Sequence, residues 1–345
     1  MNFKTGEMRL VLWKAMTFFL SASMLFFTGC ATIKNKGNII LDTDIGPDCD
    51  DAGALGILNA LADAGEAEII AVGHCTSSLW GAPCIDVINR YYGRNRIPIG
   101  TLNKKGFLDD EQYASYNKPV SLKFPNRFAS APQSVPDAVD AYREALSQAA
   151  DKSVTLAAIG PLPNLARLLD SPPDAFSSMN GRELVSAKAS KLVIMGGSFP
   201  KQSPSPPSKE WNFEMDPVSA AHVVNISPIP IYFTGFQVGA VILTGGRLVA
   251  EGSPDNPVRE CYRLYPHTDK GRRMSWDLTA VHFAVRGESP LWRIEGPGIV
   301  SVGSQGESSW IENPKGSHYL IRANAEPREI AEELESLLLR TPARK

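Results

Sequence analysis

Histidine and cysteine are scarce, five of each in 345 residues, and their scarcity limits the chemistry. Beyond Cys30 the thiols stand singly at Cys49, Cys75, Cys84 and Cys261, without CxxC spacing or the density of a disulfide scaffold. They read as reduced core residues, with a Cys75–Cys84 bridge left open as an alternative. No HExxH and no Cys/His cluster is present, so nothing points to zinc. The chain also lacks GxxxxGK[ST] and GxGxxG loops and a GxSxG nucleophile elbow. Lys and Arg never gather into a block and the formal net charge is −2, which argues against nucleic acid as a partner and against a polybasic membrane patch. Past the first thirty residues, no apolar run approaches the roughly 20 residues that a membrane span needs.

The first thirty residues differ from the rest. Lys4, Arg9 and Lys14 precede an apolar run from Ala15 to Phe27, followed by Thr28-Gly29-Cys30-Ala31. Charged, apolar and small-residue regions in that order form a secretory signal. Gly29-Cys30 resembles a bacterial lipobox, so residues 1–29 are expected to be a signal peptide and Cys30 to be lipidated. The product would be exported and anchored by lipid to a bacterial cell membrane, on its periplasmic or extracellular face. An uncleaved membrane anchor is the alternative reading. About 315 residues remain, enough for one large domain with a full core.

Short Ile/Val/Leu runs alternate with amphipathic segments through most of that remainder. Strands are expected at Asn38–Asp44, Ala67–His74, Ile97–Gly100, Val154–Ile159, Lys191–Met195 and Ile229–Thr234. Helices are expected at Ala52–Ala64, Ala82–Tyr92, Asp137–Ala150, Leu162–Leu169 and Val218–Val224. Near-continuous apolar strands separated by helices indicate a mostly parallel sheet covered on both faces, a single doubly wound α/β domain over about residues 38–340. The C-terminal part carries a helix through Trp276–Val285, strands near Gly298–Val302 and His318–Ile321, and a last helix from Pro327 to Arg340. In such sheets the ligand crevice lies beyond the carboxyl ends of the strands. The tips there are Asp42-Thr43-Asp44, Cys75-Thr76-Ser77-Ser78, Ile159-Gly160-Pro161, Met195-Gly196-Gly197-Ser198 and Thr234-Gly235. Phe107–Pro136 and Ser198–Lys209 are long enough to read as lids or walls of a site.

The first tip is the most informative. Between Ile40 and Leu55 the chain reads ILDTDIGPDCDDAGAL, which puts Asp42, Asp44, Asp48, Asp50 and Asp51 within ten residues. Carboxylates this crowded repel one another unless they protonate or share a cation, and an all-oxygen set suits Ca²⁺ or Mg²⁺. Gly46 and Pro47 supply a turn, and Ala52, Leu55, Leu58 and Leu61 begin a helical apolar face directly after it. A solvated acidic turn is the plainer alternative.

The run Asp42-Thr43-Asp44-Ile45-Gly46 through Asp50-Asp51-Ala52 is followed in order by four further motifs. These are Gly160-Pro161-Leu162-Pro163-Asn164-Leu165-Ala166, then Met195-Gly196-Gly197, then Glu210-Trp211-Asn212 with Asp216-Pro217, then Trp276-Asp277. Together they resemble the inosine/uridine-preferring nucleoside hydrolases, across about Ile39 to Arg286. The resemblance implies a Ca²⁺-dependent enzyme that hydrolyses the N-glycosidic bond of ribonucleosides to free base and ribose. It assigns Asp44, Asp51, Asp277 and the main-chain carbonyl of Ile159 to the metal. It makes Asp50 the general base on a metal-bound water and Asp42 an acceptor behind the cluster that orients it. Glu210 and Asn212 would hold ribose hydroxyls, with Met195 lining the pocket. A small-molecule nucleoside is the implied partner, and homo-oligomers are common in the family.

The chemistry suits these residue types. N-glycoside cleavage builds positive charge on the sugar, which nearby carboxylates stabilise, and a carboxylate beside a divalent ion can take a proton from water. A phosphate would be repelled by the same cluster, so nucleosides are expected rather than nucleotides.

Three departures bear on the substrate. The acidic run carries two residues more than the shorter form DxDxGxDD, which leaves Asp48 at the surface or behind the cluster. Ser77-Ser78 stands where that form has Asn, so Ser77 is the corresponding substrate contact. Trp276 stands where pyrimidine- and inosine-preferring members have a His acid. Purine-preferring members carry Trp there, stacked on the base, so purine nucleosides are favoured; core packing is the alternative role for Trp276. His74 and His267 are the remaining candidates for a leaving-group acid, and Trp80, Tyr113, Tyr116 and Trp211 for the pocket wall. Two other readings stay open: hydrolysis of another N-ribosyl compound, and a non-catalytic, metal-dependent protein that binds a sugar or nucleoside.

Overall fold

The structure is a computed structural model that describes residues 36–201 and 208–342. The expected signal and Cys30 lie outside the described residues. Through the first half the chain runs β1 (Gly37–Thr43), α1 (Asp50–Asp63), β2 (Ala67–His74), α2 (Gly81–Tyr91), β3 (Ile99–Thr101), α3 (Asn117–Lys123), α4 (Ala138–Gln148), β4 (Val154–Ala158), α5 (Pro163–Asp170), α6 (Gly181–Lys188) and β5 (Ala189–Met195). It continues through β6 (Ser208–Lys209), α7 (Trp211–Met215), α8 (Pro217–Ile226), β7 (Ile231–Thr234), α9 (Phe236–Gly239), β8 (Leu243–Thr244), α10 (Gly246–Glu251) and α11 (Pro257–Leu264). The last elements are β9 (Arg273–Met274), α12 (Trp276–Arg286), β10 (Trp292–Val302), β11 (Glu307–Glu312), β12 (His318–Ala323) and α13 (Pro327–Leu338).

One ten-stranded sheet in the order β3-β2-β1-β4-β5-β7-β12-β10-β11-β6 organises these elements. Pairing is parallel from β3 across to β12 and antiparallel from β12 to β6. Apolar clusters cover both faces. Leu55, Leu58 and Leu61 of α1 pack with Leu278 and Val281 of α12 and Leu334 of α13 on one face. Leu146, Leu165, Leu168, Leu184 and Val223 of α4, α5, α6 and α8 lie on the other. The doubly wound α/β architecture read from the sequence is the observed one.

Strand order reverses between β1 and β4, and such a reversal opens a crevice at the carboxyl ends of those two strands. Asp44 and Ile159 follow them directly, so topology alone brings two of the expected metal ligands together. The helix after β1 begins at Asp50, two residues earlier than its apolar face indicated, which places Asp50 and Asp51 in its first turn. There the partial positive charge of the helix end favours carboxylates.

Several segments escaped the sequence reading for local reasons, α6, α3, α11 and β11 among them. α6 carries little apolar periodicity, and its start is fixed by a capping box in which Asn180 and Glu183 exchange bonds with each other's backbone amides. α3 sits inside the long Phe107–Pro136 loop, and α11 and β11 are short. The four described cysteines beyond Cys30 are all buried and free, so no Cys75–Cys84 bridge forms.

Behind the crevice, Asp42 is buried and accepts from the Tyr142 hydroxyl and, at 2.9 Å, from Asn164 Nδ2. The same Asn164 amide donates to the His74 carbonyl at 3.1 Å, tying the ends of β1, β2 and α5 together. Tyr142 reaches Asp42 across Gly73, where an added Cβ would lie 1.5 Å from the tyrosine hydroxyl. Gly73→Ala is therefore expected to displace Tyr142 and to cost about 1–3 kcal/mol, as overpacked cores do; the midpoint of urea unfolding measures it.

Candidate functional site

The crevice contains a cavity of about 280 Å³ with two unlike walls. One wall is acidic: Asp44, Asp50, Asp51, Asp277 and Glu210 line it, each 5% exposed or less, together with Asp48. The other is aromatic, built from Tyr113, Trp211, Phe236, Tyr265 and Trp276, and Pro47, Ile159, Met195, Asn212 and Arg273 complete the lining.

Carboxylate oxygens of Asp50, Asp51 and Asp277 all lie within 4.8 Å of one another. Asp277 opens α12 as Asp50 and Asp51 open α1, so two helix N-termini converge on one point. The Asp277 amide donates to Asp50 Oδ2 at 3.1 Å and fixes the two turns against each other. The Thr43 hydroxyl donates to Asp51. An added Cβ on Gly160 would come within 2.6 Å of Asp44 Oδ1, so glycine there lets the Ile159–Gly160 backbone close on the cluster. Asp50, assigned from the sequence to proton transfer, thus sits as close to Asp51 and Asp277 as a ligand would.

Burial is the main force on the ionisation of these groups. It pushes Asp42 and Asp44 up to about 7 and Asp50, Asp51 and Asp277 well above the usual carboxylate range, with mutual repulsion raising the last three further. Among the described lining residues Arg273 is the one cation, and Asp48 already holds it. An all-oxygen set of buried carboxylates with an adjoining main-chain carbonyl fits a hard divalent ion and is poorly served by any side chain present.

Glu210 caps α7, taking amide hydrogens from Asn212 at 2.9 Å, Gly197 at 3.0 Å and Phe213 at 3.3 Å. Burial still raises it to about 7. Asn212 Nδ2 donates to the carbonyls of Ile159 at 3.2 Å and Met195 at 3.1 Å, bridging the ends of β4 and β5 and setting the direction of the Ile159 carbonyl.

Several expected residues fall elsewhere. Ser77 is absent from the lining: its hydroxyl donates to the Lys104 carbonyl and accepts from the Phe107 amide at 3.1 Å, so it fastens the long loop and is not free to contact a ligand. Asp42 lies behind the cavity, consistent with an orienting position and no contact with a ligand. His74 is buried between the hydroxyls of Thr76 at 3.1 Å and Thr101 at 3.2 Å, and burial holds its pKa down at about 3, so it has no proton to give near neutrality. His267 packs edge-on against Tyr265 and is not in the lining.

Of the four aromatic candidates, Tyr113 and Trp211 line the cavity, their rings 6.5 Å apart. Tyr116 is buried, donating to the Asp48 carbonyl, and Trp80 faces a separate groove under Lys118. Trp276 is in the wall, with its ring stacked 5.6 Å from that of Phe236 and Nε1 donating to the Phe236 carbonyl at 3.0 Å. Phe236, Tyr265 and Arg273 are additions. Phe236 follows the Thr234-Gly235 tip and so had a positional signal; Tyr265 and Arg273 come from the connection between α11 and α12, which had none.

Comparison with known proteins bears on this geometry. A family model described as inosine-uridine preferring nucleoside hydrolase matches residues 39–305. The non-specific ribonucleoside hydrolase RihC of Escherichia coli O7:K1 is 34% identical over 172 residues, covering 48% of this chain and 51% of that protein. The chain thus spans about half the length of the curated relatives it matches. Among solved structures, the inosine-uridine preferring nucleoside hydrolase of Bacillus anthracis superposes with a TM-score of 0.62 at 20% identity, covering 88% of this chain and 99% of that one. The purine-preferring ribonucleoside hydrolase of Gardnerella vaginalis superposes with a TM-score of 0.65 at 18% identity, covering 87% and 98%. At such identities these two likenesses establish a common fold.

The buried cluster predicts strong coupling between a divalent cation, protons and stability. A carboxyl raised from 3.8 to about 7 by folding favours the folded state below pH 3.8, and that advantage is lost as pH rises to about 7. The cation-free protein should therefore lose stability across that window. Because protons compete for the same oxygens, such a cation should stabilise more at pH 8 than at pH 6. At a hundredfold excess over its Kd the gain is about 2.7 kcal/mol. Thermal melts with Ca²⁺ and with EDTA at both pH values measure it, and Asp51→Asn should abolish most of the gain.

Proposed function

The chain belongs to the inosine-uridine preferring nucleoside hydrolase family, and we propose that it hydrolyses the N-glycosidic bond of ribonucleosides, purine nucleosides above all, to free base and ribose. One observation carries the reading: a buried acidic cluster and an aromatic wall face each other across a single cavity. The first suits a sugar that gains positive charge; the second suits a flat heterocyclic leaving group.

Asp44, Asp51, Asp277 and the Ile159 carbonyl would hold Ca²⁺. When bound, the ion supplies the charge that keeps these carboxylates ionised and makes a water in contact with it more acidic. Asp50 takes the water's proton, its carboxylate oriented by the Asp277 amide. The water oxygen joins the anomeric carbon as the bond to the base nitrogen breaks, and that electron pair leaves with the base, which takes a proton from solvent while the proton held by Asp50 returns to solvent. The remaining carboxylates stabilise the oxocarbenium-like sugar during the exchange. Glu210, already anchored by three amides, accepts from ribose hydroxyls, while Asn212 keeps the Ile159 carbonyl aimed at the cluster and Met195 closes the floor. Trp276 lies against the base, braced by Phe236.

No histidine lines the cavity among the described residues, and this favours a second reading in which the protein binds a nucleoside or related sugar without turnover. The two readings separate on product. The purified protein with Ca²⁺ and inosine, adenosine, guanosine, uridine or cytidine should release ribose, purines leading. EDTA should stop release, and Asp50→Ala should lower kcat by roughly 10²–10⁴-fold. Trp276→Ala should lower kcat/KM for purines by roughly 5- to 150-fold, the equivalent of about 1–3 kcal/mol of stacking. Tight calcium binding without ribose from any nucleoside would favour the binding protein.

The residues ahead of Cys30 support an exported lipoprotein as the working form. Among the described residues no helix is long and apolar enough to cross a membrane. Expressed in a bacterial host, the protein should partition into detergent and Cys30→Ser should remain in the aqueous phase; identical partitioning would argue against the lipid anchor.

A further inference from the structure

Arg273 has more hydrogen-bonding capacity than the fold uses. Its guanidinium lies between two rings of the aromatic wall, 5.5 Å from the centroid of Tyr265 and 5.1 Å from that of Trp276, and its side chain is 18% exposed. A guanidinium carries five N–H donors in one plane. Nε donates to both oxygens of Asp48, at 3.0 and 2.9 Å, and Nη2 donates to Asp48 Oδ2. That claims the side edge of the fork. Nη1 donates to no described group, and Nη2 keeps its second hydrogen. The end edge, with one hydrogen from each of Nη1 and Nη2 held parallel, is unclaimed at the cavity wall.

Asp48 also sets what this edge can recognise. It fixes the plane of the guanidinium and offsets its charge, so the pair offers direction without net attraction for an anion. Asp44, Asp50, Asp51 and Asp277 in the same cavity oppose an anion further. Two parallel donors beside aromatic faces call for two adjacent acceptors on the edge of a flat ring. A 6-oxopurine presents them at O6 and N7. Adenine puts a donor at the 6-position, which faces the guanidinium unfavourably, and pyrimidines lack N7.

We propose that Arg273 is a specificity-determining residue that reads O6 and N7 of a 6-oxopurine base, making inosine and guanosine better substrates than adenosine. This rests on the nucleoside reading above and narrows its substrate class.

Base binding tests it apart from turnover. The calcium-loaded protein is titrated calorimetrically with hypoxanthine, 7-deazahypoxanthine, adenine and inorganic phosphate, alongside Arg273→Gln and Arg273→Lys. Hypoxanthine should bind at least tenfold more tightly than adenine or the 7-deaza analogue, and the preference should collapse in Arg273→Gln. Arg273→Lys, which keeps the charge but not the fork, should recover little of it. In steady state the inosine/adenosine ratio of kcat/KM should fall roughly 5- to 150-fold in Arg273→Gln, mainly through KM for inosine. Equal affinity of the wild-type protein for hypoxanthine and its 7-deaza analogue, including no measurable binding of either, would overturn the assignment whether or not the variants fold. So would an unchanged substrate ratio in Arg273→Gln, or phosphate binding that depends on Arg273. Hypoxanthine binding that needs N7 without ribose release defeats the hydrolase reading alone; ribose release indifferent to N7 and to Arg273 defeats this one alone.

Discussion

Mutual repulsion among buried carboxylates is the constraint to which the rest of the molecule answers. Asp44, Asp50, Asp51 and Asp277 are each less than 5% exposed and share one cavity. Left ionised without a counter-charge, such a group would oppose folding, since each buried charge costs several kcal/mol. The fold moderates the cost with fixed dipoles. Two helices begin at the cluster, Thr43 donates to Asp51, and the Asp277 amide donates to Asp50. None of these supplies a full positive charge, and the nearest guanidinium is already committed to Asp48. The donor set therefore suits a hard cation, with the buried carboxylates and the Ile159 backbone lining one cavity.

A parallel sheet with a reversal of strand order is well suited to carry such a cluster. The crevice at the reversal receives the ends of β1 and β4 without any loop having to bend into it. Support comes from behind, where Asp42, Tyr142 and Asn164 lock the ends of neighbouring elements. Rigidity at that layer keeps the carboxylates from relaxing apart, which is the property a pre-organised electrostatic site needs. The aromatic wall is built on another principle. Tyr113, Trp211, Phe236, Tyr265 and Trp276 come from five separate segments outside the strands, so that wall can vary while the acidic wall stays fixed. Arg273 and Asp48 join the two: one from the segment before α12, the other from the turn that presents Asp50 and Asp51.

Much of the acidic wall was legible in the chain because strand tips and helix starts are local features. Asp44, Asp50 and Asp51 are close in sequence, bounded by a strand pattern and a helical apolar face. Glu210, Asn212 and Trp276-Asp277 were found through the order of several short motifs. The aromatic wall was only half legible, since an aromatic residue looks alike in a core and in a cavity: Tyr116 proved to be core and Tyr113 wall. Ser77 was misplaced for a related reason. Its position at a strand tip suggested a free hydroxyl, while the long loop following β3 returns to occupy it.

Alternating apolar and amphipathic segments determined a doubly wound sheet, because burial of both sheet faces imposes that pattern whatever the details of packing. The acidic run determined that a cation would be wanted, since five carboxylates in ten residues cannot ignore one another. Tertiary structure decided what no local pattern encodes. It brought Asp277 to Asp50 across 227 positions, drew the α11–α12 connection over the cavity so that Tyr265 and Arg273 became wall, and turned Asp48 from a spare carboxylate into the clamp of a guanidinium. Such contacts depend on how distant segments meet in space, and the energy that selects them is spread over the whole core, so no short stretch of sequence holds it.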